Sequence, residues 1–229
     1  MMFYFGDPTF LLLIPALVLA FYAQSKVQSA FRKYSQIAAS SGLTGSEVAQ
    51  RLLARYRVAD VTVEPTEGSL SDHYDPRQKT IRLSPEVYNS SSIAALGIAA
   101  HETGHAMQHA KGYKPLSLRT RFFPVASIGS RLAFPLFFMG FIFGGKTLMD
   151  VGIVLFSLAV FFQLLTLPVE FNASRRAVNM LHENAMIGQG EVAATQRVLS
   201  AAALTYVAAT AMSALQLVRL FLLRGRRND

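Results

Sequence analysis

Two histidines and one glutamate within residues 99–109 have the types and the spacing that metal chemistry requires. His101 and His105 are four residues apart in an apolar-periodic run, so on a helix their imidazoles lie one turn apart on the same face. Glu102 directly follows the first histidine. Catalytic zinc takes three protein ligands and keeps a position for water, whose proton a neighbouring carboxylate can accept. The motif therefore predicts a zinc hydrolase that binds one Zn²⁺ per chain and uses Glu102 as general base.

A third protein ligand must come from outside this motif. His109 continues the row, but on a straight helix it lies about 12 Å along the axis from His101, too far for two bonds of about 2 Å to one metal. We therefore expect His109 to be a surface residue or a partner of a ligand. A pattern with a helix-bending glycine and a later histidine is excluded, because Gln108 and Lys111 occupy those positions.

Glu170 is the best remaining candidate for the third ligand. A helix through residues 168–177 places Glu170 and Ser174 on one face, so the carboxylate can reach the metal while the hydroxyl bonds a ligand histidine. The alternative is a carboxylate at the start of an interfacial helix, where it interacts favourably with the helix dipole.

Four stretches resemble the membrane-bound neutral zinc metallopeptidases of the YugP-like family, and the resemblance covers nearly the whole chain. These stretches are 71–85, 99–108, 170–177 and 203–208. The family is itself similar to integral-membrane gluzincins such as the HtpX-like and CAAX-processing proteases. The resemblance therefore implies a gluzincin-like α+β zinc metallopeptidase domain.

The resemblance also implies roles for individual residues. His101, His105 and Glu170 would hold zinc, and Glu102 would be the base. One position departs from the pattern, because better-studied gluzincins carry Asp four residues after the ligand Glu, where this chain has Ser174. A neutral hydroxyl orients a ligand histidine less firmly than a carboxylate does.

The composition is that of a membrane protein. Hydrophobic residues make up 52% of the 229 positions, and 17 are Phe. The formal net charge of +8 comes from Lys and Arg scattered beside apolar segments, which argues against nucleic acid as a partner and is typical of charges flanking membrane spans. The chain contains no Cys, so disulfides and thiolate metal sites are excluded.

Apolar segments divide the chain into membrane and cytoplasmic parts. Residues 1–23 contain the first predicted span, and the basic residues after it place the N-terminus outside and the following segment in the cytoplasm. Residues 122–169 are predicted to form a transmembrane helical hairpin, of which 151–169 is a run of 19 uncharged residues. Glu170 then follows the end of the membrane span directly.

The metallopeptidase domain is predicted from two segments, 24–121 and 170–200. The first contains two scaffold helices, the second of them capped by Thr44, and then strands at 60–64 and 80–83. The metal helix follows at about residues 92–110. An edge strand of such a sheet can pair with an extended substrate.

Two polar residues before the metal helix have an open role. Asp72 and His73 either line the substrate cleft or are plain loop residues, and the second interpretation is favoured.

The last segment, 201–229, carries an apolar run long enough to span the membrane. Spanning would leave Arg224, Arg226 and Arg227 outside, against the positive-inside rule. We therefore expect a buried or interfacial helix with a cytoplasmic C-terminus, and a fourth span is the alternative. The predicted fold class is a mainly α integral membrane protein with an α+β metallopeptidase domain, a small β-sheet and three or four transmembrane helices.

The predicted function is a multi-pass cell-membrane endopeptidase whose active site faces the cytoplasm. Its partners would be the lipid bilayer and membrane-associated protein or peptide substrates; a homo-oligomer or a membrane-protein partner is left open. Tyr206 and His182 are candidates for stabilising the oxyanion of the transition state.

Two other functions compete with this prediction. A non-catalytic membrane scaffold or chaperone-like protein would use the histidines for a structural metal, but such a site needs no adjacent base like Glu102 and is usually closed by a fourth protein ligand. A zinc hydrolase of a non-peptide substrate is the second alternative, and the predicted edge strand favours a peptide substrate over it.

Overall fold

The structure is a computed structural model that describes residues 8–226. Residues 1–7 of the predicted first span, and Arg227 of the basic tail, lie outside the described part. The helices are α1 (Ile14–Tyr34), α2 (Gly45–Arg55), α3 (Pro85–Tyr88), α4 (Ile93–Ala110), α5 (Lys114–Phe143), α6 (Lys146–Glu183) and α7 (Gln189–Arg226), and a 3₁₀ turn (Pro8–Leu13) precedes α1. The strands are β1 (Thr62–Pro65), β2 (His73–Asp75) and β3 (Thr80–Leu83).

Within residues 8–226, four helical stretches are long and apolar enough to cross a membrane. They are Pro8–Tyr34, α5, α6 and α7. The prediction of a mainly helical protein with a small sheet is therefore confirmed, and the number of candidate spans equals the upper predicted value. A gluzincin-like arrangement of the domain stays a prediction.

The chain divides into two compact units. Within the described part of the chain, the bundle unit consists of residues 8–23, 118–167 and 205–226. The site unit consists of Gln24–Ser117 and Pro168–Leu204.

Close helix packing holds the bundle unit together. A buried cluster joins Phe137 of α5, Met149 of α6 and Leu220 of α7. A Cβ at Gly152 would lie 2.7 Å from the carbonyl oxygen of Ala133, so glycine is what allows α5 and α6 to approach this closely.

An ion pair fixes the direction of α7 within the bundle unit. The Arg224 guanidinium donates to both carboxylate oxygens of Asp150, with Nη2 lying 2.9 Å from Oδ2. Arg224 belongs to the last turn of α7 and Asp150 to the first turns of α6. The end of α7 therefore lies beside the beginning of α6, and the two helices run antiparallel.

Two helices are longer than the sequence predicts. α6 continues without a break through Pro168, so Glu170 lies inside a helix and the interpretation as a helix-start carboxylate is wrong. A single proline removes only one backbone hydrogen bond, which packing on both sides offsets here. α7 begins at Gln189 and not near residue 201, because neither Pro nor Gly interrupts the chain between Gly190 and Gly225.

The site unit begins with the predicted capped helix. The Thr44 hydroxyl accepts from the Glu47 amide, and the Glu47 carboxylate accepts from the Thr44 amide at 2.8 Å, which completes a capping box on α2. This confirms Thr44 as N-cap and satisfies two backbone donors that a helix start leaves open.

A three-stranded sheet follows, in the order β1-β3-β2. β1 pairs parallel with β3, and β2 pairs antiparallel with β3. β2 was not predicted, because three residues are too few to show alternation. His73 therefore lies in a strand and not in a loop. Asp75 accepts from the amides of Arg77 and Gln78 and so forms the turn between β2 and β3.

α4 lies in the middle of the core of the site unit. Leu96, Ala99 and Met107 on α4 pack in one buried cluster with Leu52 of α2 and Ile81 of β3. Because most residues of α4 are buried, its rotation about its own axis is fixed. The side chains of the histidine motif therefore have a defined direction.

Candidate metal centre

α4 places both motif histidines as predicted. Ser92 caps the helix, since its hydroxyl accepts from the Ala95 amide at 3.2 Å. One turn separates His101 and His105, and their rings meet edge to face with centroids 4.7 Å apart. The two imidazoles therefore lie close enough for one metal ion to contact both.

Glu170, on the neighbouring helix α6, completes a set of three side chains that could bind one metal ion. Its Oε2 lies 3.3 Å from His101 Nε2 and 3.5 Å from His105 Nε2, and the carboxylate is almost fully buried. Ligands about 2.05 Å from a tetrahedral zinc are about 3.3 Å from one another. The distances to Glu170 match that value, so two imidazoles and one carboxylate fit a catalytic zinc site with one position left over.

Each imidazole has a hydrogen-bond partner on the nitrogen that faces away from the centre. Ser174 Oγ lies 3.2 Å from His101 Nδ1, so the structure brings together the pair that the sequence suggested. Gln108 Oε1 lies 3.0 Å from His105 Nδ1. This role of Gln108 was not predicted, although its position three residues after His105, on the same helix face, is a signal for it.

The centre carries excess negative charge. Burial lowers the pKa of His105, but the hydrogen bond that the imidazole donates to Glu170 and the charges of Glu102 and Glu170 outweigh it, so the pKa lies above its usual value. Such a site attracts a divalent cation, which would replace the proton.

The general-base candidate lies in the same charged region. Glu102 is 8% exposed, and its charge contributes to raising the pKa of Asp72, although burial is the largest cause and hydrogen bonds from Ser84 oppose it. The carboxylate of Glu102 is thus shielded from bulk water but still interacts with its charged neighbours.

Comparison with known proteins identifies the family. Residues 9–225 match the family described as "Putative neutral zinc metallopeptidase". The chain belongs to this family. A relative from Bacillus subtilis (strain 168), "Putative membrane protease YugP", is 50% identical over 217 residues, which are 94% of this chain and 96% of the relative. No solved structure matches the chain. The family resemblance seen in the sequence is therefore confirmed, and the metal that the family name implies agrees with the donor set.

His109 is not part of the metal centre of this family member. Its Nδ1 lies 2.7 Å from the hydroxyl of Tyr74 on β2, and both residues line a pocket of about 250 Å³ together with Asp60 and Lys79. Burial, with smaller contributions from nearby carboxylates, raises the pKa of Tyr74 to about 12, so the phenol stays protonated. The hydrogen bond between Tyr74 and His109 therefore connects the edge strand β2 to α4.

Asp72 has a structural task. Its carboxylate accepts from the backbone amide of Ser84 at 2.8 Å and from the Ser84 hydroxyl at 3.1 Å. These bonds join the segment before β2 to the end of β3. His73 is exposed, and its Nδ1 contacts the carbonyl oxygen of Ser71 at 2.7 Å.

The structure answers for one of the two oxyanion-donor candidates. His182 is exposed and follows Glu170 by twelve residues on the same helix, which is about 18 Å along the axis, so the structure does not bring it to the centre. Tyr206 lies in α7 within the bundle unit, and its role stays a prediction.

Proposed function

We propose that the protein is a membrane zinc endopeptidase that cleaves membrane-associated proteins or peptides near the cytoplasmic face. The observation that carries this proposal is the convergence of His101, His105 and Glu170 around one point, with Glu102 buried beside them. The family and the relative from Bacillus subtilis support a protease in a membrane.

The chain's own residues account for the proton transfers that hydrolysis requires. Zinc, when bound by the three ligands, supplies a Lewis acid that polarises a carbonyl and acidifies a water molecule. Glu102 accepts one proton from the attacking water and delivers it to the leaving amine nitrogen as the C–N bond breaks. The water oxygen and its second proton end in the new carboxylic acid group, which loses that proton to solvent, and Glu102 returns to its ionised form.

The small sheet offers a binding edge for an extended substrate. β2 is an edge strand of the described sheet, and the Tyr74–His109 bond holds it against α4, on which two of the ligands lie. A substrate strand added to β2 would make backbone hydrogen bonds that depend little on side-chain identity. We therefore expect broad sequence specificity.

The helix directions in the bundle unit favour four spans over three. If α6 crosses the membrane, α7 crosses it too, because Arg224 at its end pairs with Asp150 near the start of α6. The end of α7 and the α5–α6 turn then lie on the same side of the membrane, outside the cell. This changes our preference for a cytoplasmic C-terminus.

The charge distribution agrees with this four-span topology. Sixteen of the 22 Lys and Arg residues lie in 24–121 and 168–204, whereas four lie in 144–150 and 220–229. The positive-inside rule then assigns the first two segments, with the metal ligands, to the cytoplasm. The C-terminal arginines argued against a fourth span, but the basic residues of the two cytoplasmic segments outnumber them. The charge of Arg224 is also partly neutralised by its ion pair with Asp150.

The competing functions differ in what they ask of the centre. A structural zinc site needs a fourth protein ligand, and within residues 8–226 the donor cluster consists of three side chains. A hydrolase of a non-peptide substrate would use the same residues but would not need the free edge of β2.

A comparison of cells tests the peptidase proposal. Cells that lack the endogenous protein would produce either the parent or Glu102→Gln, and new N-termini in their membrane fractions would be labelled and sequenced. We expect parent-dependent cleavage sites in membrane proteins, in cytoplasmic segments near a span. Identical sets of termini in both cell lines, at equal expression, would refute the proposal.

A further inference from the structure

The side chain of Gln108 is fully buried between α4 and α6, and hydrogen bonds engage both ends of its amide. Oε1 lies 3.0 Å from His105 Nδ1, and Nε2 donates to the carbonyl oxygen of Val169 at 2.8 Å and to Asn172 Oδ1 at 3.0 Å. Asn172 Oδ1 in turn accepts from Arg176 Nε at 2.7 Å.

The direction of this amide follows from its neighbours. The carbonyl oxygen of Val169 can only accept a hydrogen bond, so it must face the NH₂ group of Gln108. An arginine can only donate, so Arg176 holds the oxygen of Asn172 toward the same NH₂ group. The contacts with Val169 and Asn172 therefore both require that Gln108 Oε1 face His105.

A tautomer of His105 follows from this direction. The Gln108 oxygen only accepts, so the neutral imidazole must carry its proton on Nδ1. Its Nε2 then has a free lone pair on the side of Glu170, as a metal ligand requires. We propose that Gln108 is a positioning residue that locks His105 in the zinc-binding tautomer and ties it to the helix segment carrying Glu170.

The second histidine has no equivalent lock. The partner of His101 Nδ1 is the hydroxyl of Ser174, which can either donate or accept. The hydroxyl therefore orients the ring without selecting a tautomer. The two halves of the centre thus differ: His105 is preorganised before the metal arrives, and His101 adopts its tautomer when the metal binds.

The hydrogen-bonded amides of Gln108 and Asn172 also add no further negative charge to the centre. Gln108 and Asn172 are neutral, so the ligand shell carries the single negative charge of Glu170. A carboxylate in place of Gln108 would add negative charge and raise the basicity of His105. The amide gives orientation without that charge, which leaves a bound zinc more strongly Lewis acidic.

Zinc affinity and the tautomer of His105 test the inference. The purified full chain in detergent would be compared with Gln108→Leu and Ser174→Ala, with zinc affinity measured by competition against a chromophoric chelator. We expect Gln108→Leu to lose about 10- to 100-fold in affinity and Ser174→Ala to lose less than about tenfold.

Nitrogen-correlated NMR of the metal-free chain, recorded at alkaline pH where the His105 signals no longer change with pH, reports the tautomer directly. We expect Nδ1–H at His105 in the parent and in Ser174→Ala, and a mixture in Gln108→Leu. An Nε2–H tautomer in the parent would overturn the inference even if Gln108→Leu does not fold. Parent-like zinc affinity in a folded Gln108→Leu variant would do the same.

The inference rests on the proposed function only for the identity of the metal. Neither measurement requires turnover, so a protein that cleaves no peptide but loses zinc in Gln108→Leu would refute the peptidase proposal and support the role of Gln108. A parent chain that cleaves peptides, together with a Gln108→Leu variant of unchanged zinc affinity, would support the peptidase proposal and refute the role of Gln108.

Discussion

Gly104 lies so close to Ala173 that a Cβ on residue 104 would be 2.9 Å from the Ala173 carbonyl oxygen. Gly104 directly precedes the candidate ligand His105 on α4, and Ala173 follows the candidate ligand Glu170 by three residues on α6. The missing side chain therefore lets the two ligand-bearing helices approach until three donors surround one point. One of the two variable positions of the His-Glu-x-x-His motif thus has a packing role.

Gly104→Ala should consequently damage the centre without removing a ligand. The added methyl forces α4 and α6 apart, and we expect a loss of about 1–3 kcal/mol in the free energy of unfolding. Zinc affinity should fall by about tenfold or more. Thermal unfolding and chelator competition measure the two effects.

Gly190→Ala is the matched control, because a Cβ there meets open space in the first turn of α7. It should leave zinc affinity unchanged and stabilise the helix by up to about 1 kcal/mol. Equal zinc affinity in Gly104→Ala and Gly190→Ala would contradict the close-packing account.

Asp72 should make stability depend on pH with an unusual sign. Burial raises its pKa in the folded state, so the folded chain binds more protons than the unfolded one, and this stabilisation is lost as the pH rises through the folded-state pKa. Asp72→Asn keeps an acceptor for Ser84 but does not titrate. The melting temperature of the variant relative to the metal-free parent should increase from about pH 4 toward neutrality.

Asp75→Asn supplies the opposite control. Backbone hydrogen bonds from Arg77 and Gln78 hold the pKa of Asp75 below its usual value, so the charged form contributes stability above the unfolded pKa. Its variant should lose stability relative to the parent as the pH rises. Parallel trends for the two variants would show that the environment of Asp72 is not as described.

The proposed topology can be tested with single introduced cysteines, because the native chain contains no cysteine. Lys111→Cys should be protected from an impermeant thiol reagent in intact cells, whereas Lys146→Cys and Gly225→Cys should react. A Gly225→Cys site that behaves like Lys111→Cys would restore the three-span arrangement. Permeabilised cells show that each site is accessible once the membrane is open.

Membrane-tethered substrates should be cleaved in preference to soluble ones. In the sequence, Glu170 directly follows the uncharged run 151–169, so a proposed zinc ligand lies within a few residues of a predicted span. A tether raises the local concentration of substrate at such a site. One cleavable sequence, presented free or fused to a span, would be added to liposomes that contain the enzyme. Equal cleavage efficiency for both forms would refute a membrane-surface site.

The sequence predicted which residues come together at the candidate metal centre better than it predicted the bounds of the helices around it. His101, Glu102 and His105 follow from a spacing that a single helix imposes, and Thr44 with Glu47 follows from local capping chemistry. Glu170 is found by elimination, because its partnership with the motif depends on how two distant segments pack. Local patterns therefore carry the motif and the cap but not the packing.

Features that depend on packing between segments were not predictable. The role of Gln108 requires the carbonyl oxygen of Val169, which is 61 positions away in the chain. The direction of α7 could be inferred only from the Asp150–Arg224 pair, because the positive-inside rule taken alone favoured the three-span topology. β2 is a strand because β3 lies beside it, not because its three residues alternate.

The most direct test of the account is the rate of peptide hydrolysis per bound zinc in purified parent and Glu102→Gln. The substitution keeps the shape of the side chain and removes its basicity, so the variant should hold one zinc per chain. Hydrolysis of a membrane-tethered substrate should fall by about 10²–10⁴-fold, the usual contribution of a general base. A zinc-loaded Glu102→Gln variant that cleaves at the parent's rate would contradict the assignment of Glu102, and with it the proposed mechanism.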